Sequence, residues 1–210
     1  MPVKSEDRPE ASSRVNQGNT SQNDNEPSYI SVPVLEELVR RAEDRKFTEK
    51  NASLTAACGI LNYYFPPHEG FITLSQCVPI EGAEEGYMSV VQVNHYRDGA
   101  MHPYIFGEVR RQEGFVEDSD CRRVENYIDR TDCKDPGFYS MVILLYGAEI
   151  SFYDINEDDL LEPHRPLHRP SRNQFHLRRD ADTVHEMLKF MADKSGRHFK
   201  EHISLNYLRR

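Results

Sequence analysis

The sequence predicts an α/β domain, a mixed β-sheet with helices packed on it. Three observations carry that expectation. Helical and strand periodicities follow one another in the order helix, helix, three strands, helix, two strands, helix. One run, Phe138–Tyr146 (FYSMVILLY), is almost wholly apolar, as a strand covered on both faces must be. Two further apolar segments, Tyr87–Tyr96 and Pro103–Val109, flank the turn signal Arg97-Asp98-Gly99.

Residues 1–28 hold almost no large apolar side chains, so they cannot bury enough surface to offset their ordering entropy and are expected to form a disordered tail. A single domain is expected over residues 29–200, followed by a C-terminal tail at 201–210. The first helix is expected over Val34–Arg45, with Val34, Leu35, Leu38 and Val39 inward, Ser31 as N-cap and Pro33 in the first turn. Glu36 with Arg40 and Glu37 with Arg41 are i, i+4 pairs in the favourable order. The second helix runs from about Thr48 to Tyr64, with Leu54, Ala57, Cys58, Leu61 and Phe65 on one face and Pro66-Pro67 as its stop. Gly59 inside it costs about 1 kcal/mol relative to alanine, which points to a close neighbour. Tyr63, Tyr64 and Phe65 read as core.

Strands follow at Phe71–Val78, Met88–Tyr96 and Tyr104–Val109. An acid-rich stretch, Glu113–Asp135, contains a short helix near Cys121–Arg130 with Val124, Tyr127 and Ile128 as its apolar stripe. After the apolar run, Gly147-Ala148 turns the chain into Glu149–Asp154, an alternating strand expected nearer the sheet edge. A Pro-rich basic segment then leads to a last helix over Asp180–Lys194, capped by Asp180 or Asp182, with Val184, Met187, Leu188 and Met191 inward.

Net charge is −9, from 26 basic and 35 acidic side chains, which argues against a general affinity for phosphate backbones. The charge is uneven, however. Pro163–Arg179 carries Arg165, Arg169, Arg172, Arg178 and Arg179 with no acid among them, so a local face for nucleic acid is one expectation and a solvated loop the other. No apolar run approaches the roughly 20 residues of a membrane span, and no export signal is present, so an intracellular protein, cytoplasmic or nuclear, is expected. Cys58, Cys77, Cys121 and Cys133 are then free thiols, with Cys58 and Cys77 expected to be buried.

Side chains alternate along a strand, so Glu108 and Arg110 at the end of the third strand project from one face. An acid and a base fixed together in this way suit metal-dependent phosphodiester chemistry; an ion pair at a sheet edge, worth about 0–1 kcal/mol when exposed, produces the same pattern. His164 and His168 are four apart but Pro166 breaks any helix between them, and His95 and His102 flank the hairpin turn, where meeting across it is one expectation and plain exposure the other. Ser75, Cys77 and Cys121 lack the local signature of a nucleophile, and Gly107 and Gly114 stand alone rather than in a phosphate-cradling loop.

This element order, with Glu108-Val109-Arg110 ending the third strand, resembles the PD-(D/E)XK (restriction-endonuclease-like) nuclease superfamily. The helix ending Tyr-Tyr-Phe-Pro, the helix carrying Val124-Glu125-Asn126-Tyr127-Ile128 and the aromatic strand Ser151-Phe152-Tyr153 carry the resemblance, over roughly Thr48–Lys194. It implies catalytic Glu108 and Arg110, and Mg2+ held by Glu85, Glu108 and Glu49. The chain departs from the pattern twice. Glu84-Glu85-Gly86-Tyr87 stands where the family has Pro-Asp, and Arg110 stands where it has lysine. A guanidinium stays protonated and cannot shuttle protons. The expectation is therefore a nuclease-fold protein without efficient catalysis, in nucleic-acid-associated or protein-interaction work. An active Mg2+-dependent endonuclease and a plain accessory protein are the alternatives.

Overall fold

A computed structural model describes residues 27–44, 51–79, 87–97, 99–110, 116–130, 141–156, 160–166 and 168–193. Apart from Pro27 and Ser28, both expected tails lie outside these residues, as do Glu49, Glu84, Glu85, Gly114, Cys133 and the start of the apolar run at Phe138. Among the described residues, four α-helices flank a mixed sheet of seven strands.

The helices are α1 (Pro33–Glu43), α2 (Ala52–Tyr64), α3 (Asp118–Arg130) and α4 (181–193). The strands are β1 (Phe71–Pro79), β2 (Tyr87–Arg97), β3 (Ala100–Arg110), β4 (Met141–Tyr146), β5 (Glu149–Ile155), β6 (Leu161–Pro163) and β7 (Gln174–His176). The sheet order is β1-β2-β3-β4-β5-β6, with β7 also pairing β5. β1, β2 and β3 form an antiparallel meander, β3 and β4 are parallel, and β4–β5 is antiparallel again. A parallel pair needs a crossover, and α3 supplies it.

Each sheet face has its own core. On one side α1, α2 and α4 bury Leu35, Val39, Leu61, Val184, Leu188 and Met191 against Val91, Ile105, Ile143 and Phe152. On the other, α3 is the one described helix, and it lays Val124 and Ile128 over Met88, Val90, Phe106, Val142, Leu144 and Tyr146. β4 is buried at every position because both layers cover it. The strand at Glu149–Asp154 lies nearer the sheet edge than β4, as expected, but the expected alternation does not hold. Ile150 to Tyr153 are all buried, because β6 and β7 extend the sheet beyond β5 and both faces are packed.

Several local expectations shift by a residue or a partner. The side chain of Ser31 does not cap α1; it sits in a 3-10 turn, its hydroxyl donates to the Ser28 carbonyl at 2.7 Å, and Val32 takes the N-cap position. Val34 is exposed rather than inward. Glu37 binds both Arg40 and Arg41, which holds its carboxyl down to about 2. Glu36 instead reaches Arg178, 3.0 Å away across the molecule. The buried face of α2 is Ala56, Ala57, Ile60, Leu61 and Tyr64, with Leu54 and Cys58 at its margin. Gly59 does mark a close approach: a Cβ there would stand 3.0 Å from both Leu35 Cδ2 and Leu38 Cδ1. Cys77, expected to be buried, is exposed, because β1 is the sheet's edge.

The N-terminal approach is tied down as well. Tyr29 is fully buried beside Tyr64, and its hydroxyl donates to the Leu177 carbonyl just before α4. Tyr63 donates to the Pro27 carbonyl.

Candidate functional site

Glu108 and Arg110 lie at the C-terminal end of β3, a central strand rather than a sheet edge. Both project toward α3. The crossover brings the first turns of that helix back over the strand end, and there it presents Asp120 and Arg123, one helical turn apart. Glu108 is 1 % exposed and Asp120 4 %. The four side chains form a closed quartet. Arg110 Nε donates to Glu108 Oε1 at 2.9 Å, and its Nη2 sits 2.8 Å from Asp120 Oδ1. Arg123 Nη2 reaches Glu108 Oε1 at 2.9 Å, Glu108 Oε2 at 2.8 Å and Asp120 Oδ1 at 2.9 Å. The remaining oxygen, Asp120 Oδ2, accepts the Glu117 backbone N–H at 3.1 Å.

Every carboxylate oxygen in the quartet therefore has a donor. With both acids ionised, the two carboxylates and two guanidiniums leave no net charge. The Arg110 guanidinium also lies 4.9 Å from the centre of the Tyr146 ring, an attractive cation–π placement. Burial pushes the Glu108 carboxyl up to about 7, against the pull of Arg110 and with the help of Asp120. Burial also raises the Tyr146 hydroxyl, with Glu108 adding to it.

Mg2+ requires oxygen ligands with free lone pairs in near-octahedral array. The described residues do not fit that ion. Both oxygens of Glu108 are engaged by guanidiniums, and those two cations would repel a third. Opposite Glu108 on β2 stands Val90, and Met88 follows on the same face; both are buried and apolar. Among the described residues, no group of three His, Cys, Asp or Glu side chains is placed to hold a metal ion. Glu85 and Glu49 lie outside the described residues.

The basic stretch is not left as bare positive charge. Asp180, just before α4, draws Arg169 Nη1 and Arg172 Nη2, each at 2.8 Å. Arg178 bridges Glu43 and Glu36 at 3.0 Å, and Arg179 lies 3.5 Å from Glu149. Arg165 is exposed on the segment after β6. The acids that meet these arginines come from α1, β5 and the head of α4, which the sequence of the stretch itself does not contain.

Asp180 does not cap α4 in the ordinary way, because its carboxylate turns back to accept the His176 N–H at 2.9 Å. Burial raises its pKa, but that N–H with Arg169 and Arg172 outweighs burial and holds the carboxyl below its usual value. A depressed carboxylate stabilises the fold above its unfolded-state pKa, and that contribution is lost as pH falls through the lower folded value. Asp180→Asn is therefore expected to cost about 1–3 kcal/mol at neutral pH. Its deficit against the wild type should close in acid. Denaturant titrations of both proteins at several pH values check this; a pH-independent gap would contradict it.

His164 and His168 go to different partners. His164 binds Asp154 and stacks on Phe190, whereas His168 lies 3.5 Å from Glu186. His95 and His102 are cross-strand partners, the first of the two expectations, with the His95 ring against Phe71. Asp120 and Arg123 are the residues that sequence reasoning passed over. Their i, i+3 spacing was visible, but nothing in the sequence sets them over Glu108.

The fold thus defines an α+β protein with a mixed seven-stranded sheet among its described residues. No family model matches the chain, and neither a curated protein nor a solved structure matches it. No described helix is long and apolar enough to cross a membrane.

Proposed function

We infer that this chain is a nuclease-like α/β protein that works by binding rather than by phosphodiester hydrolysis, with protein interaction as its task. One observation carries the reading: all four carboxylate oxygens of Glu108 and Asp120 are engaged by Arg110, Arg123 and the Glu117 N–H. A carboxylate held in this way is neither a free metal ligand nor a free base. The helix, meander, crossover helix and parallel strand supporting the quartet agree with the resemblance drawn from the sequence. Protein is favoured over nucleic acid as partner because Arg169, Arg172, Arg178 and Arg179 already face acids, in a chain of net charge −9.

The test is incubation of purified protein with supercoiled DNA, single-stranded DNA and RNA, with and without Mg2+ or Mn2+. Glu108→Gln serves as control because it keeps the side chain's shape. The expected result is equal, background-level cleavage by both proteins and no salt-dependent retention of the nucleic acids. Divalent-dependent cleavage lost in a folded Glu108→Gln protein would overturn the reading. It would favour a Mg2+-dependent endonuclease using Glu108 with Glu85 and Glu49. Tight, salt-sensitive binding without cleavage would move the partner to nucleic acid through Arg165 and its neighbours.

A further inference from the structure

The edge strand β1 is unusual in what it lacks. It pairs with β2 over nine consecutive positions without a bulge, and no described strand covers its other side. Its sequence, FITLSQCVP, contains no charged residue, and its one proline is the last position. An open edge presents a row of backbone donors and acceptors. Proteins ordinarily guard such edges with lysine, an internal proline, a bulge or a covering segment. Here the central residues Leu74, Ser75, Gln76 and Cys77 are all exposed, and Ile72 is exposed beside them.

We propose that β1 is a homodimerisation edge, pairing antiparallel with β1 of a second copy to continue the sheet across a two-fold axis. The strand is its own complement. With the axis at Ser75, the middle residue, Leu74 faces Gln76, Thr73 faces Cys77 and Ile72 faces Val78 of the other copy. Each of these pairs occurs twice. Ile72 and Val78 form apolar cross-strand contacts, and no like charges stand opposite one another. That matters in a chain of net charge −9, where an uncharged strip is the place two copies meet with least repulsion. The contact is isologous and closes on itself, so it yields dimers rather than fibres. One strand pair covers less than the about 800 Å2 per partner of a standard interface, so the dimer is weak and concentration-dependent.

Sedimentation velocity of the full chain over a wide concentration range tests this. The wild type is expected to pass from one-chain to two-chain mass as concentration rises. Ser75→Lys, which sets two ammonium groups opposite each other at the axis, is expected to remain a monomer throughout. Its thermal unfolding should match that of the wild type at low concentration, which separates lost association from lost folding. Thr73→Cys supplies a register test: under mild oxidation the introduced thiol is expected to cross-link to Cys77 of the second copy. A wild type that stays monomeric, a dimer indifferent to Ser75→Lys, or cross-linking of the Thr73→Cys variant that bypasses Cys77 would each overturn the proposal.

Discussion

Glu108→Ala is expected to lower the free energy of unfolding by about 1–3 kcal/mol, the usual cost of stripping hydrogen-bond partners from partly buried polar groups. The loss comes less from the attraction removed than from what remains. Arg110 and Arg123, both partly exposed, would share Asp120 as their remaining carboxylate beside the layer that α3 covers. The midpoint of chemical denaturation measures the effect, and a change under about 1 kcal/mol would show that the quartet is a surface pair after all. Glu108→Gln separates charge from shape. The folded-state pKa of Glu108 is raised to about 7 by burial, above its ordinary value near 4.5. A raised acid stabilises the fold most fully below its unfolded value, and that contribution disappears as pH rises through the folded one. The wild type should therefore decline against Glu108→Gln between roughly pH 4.5 and pH 7, because glutamine does not titrate.

The quartet also marks where sequence stops informing structure. Glu108 and Arg110 are two residues apart on a strand, so their common face follows from the period alone. Asp120 and Arg123 reach them only because the crossover from β3 to the parallel strand β4 folds α3 back over the strand end. That return is a topological fact, and no local pattern of charge announces it. Arg178 behaves in the same way: its partners Glu36 and Glu43 lie on α1, at the far end of the chain. Within a basic stretch free of acids, the arginines read as a local positive face or a solvated loop. Tertiary structure supplied the acids.

Element order, by contrast, was legible because long amphipathic or apolar runs declare their period. α4 buries the stripe expected of it, Val184, Met187, Leu188 and Met191, and α3 buries Val124 and Ile128 of its expected stripe with Tyr127 only partly covered. β6 and β7 are three residues each, too short to show a period, and they lay unseen at the start of the Pro-rich segment and within it. Missing them left β5 with an expected alternation that its burial does not show. Cys77 was misplaced at the opposite edge for a different reason, since alternation along FITLSQCVP does not tell a strand with two neighbours from a strand with one.

Gly107 shows how a residue without a motif can be among the most constrained. In the sequence it is a lone glycine, with no phosphate loop around it. In the sheet it sits on β3 between Val91 of β2 and Ile143 of β4. A Cβ at this position would stand 2.7 Å from Val91 Cγ1 and 2.8 Å from Ile143 Cγ1. Both neighbours are β-branched, stiff at χ1 and fully packed in the core beneath α2 and α4, so neither swings aside cheaply. Gly107→Ala is expected to destabilise by about 1–3 kcal/mol, the usual cost of overpacking. Gly107→Val adds two further methyl groups to the same clash and should exceed that range. The neighbouring residue sharpens the test. Displacing β3 from β2 or β4 would shift Glu108 relative to Arg123, whose bonds to it are 2.8 and 2.9 Å long. Gly107→Val and Glu108→Ala are therefore expected to be non-additive, the double variant losing less than the two losses together. Denaturation of the two single variants and the double variant decides the matter. Simple additivity would mean that the strand's packing and its ion quartet are independent.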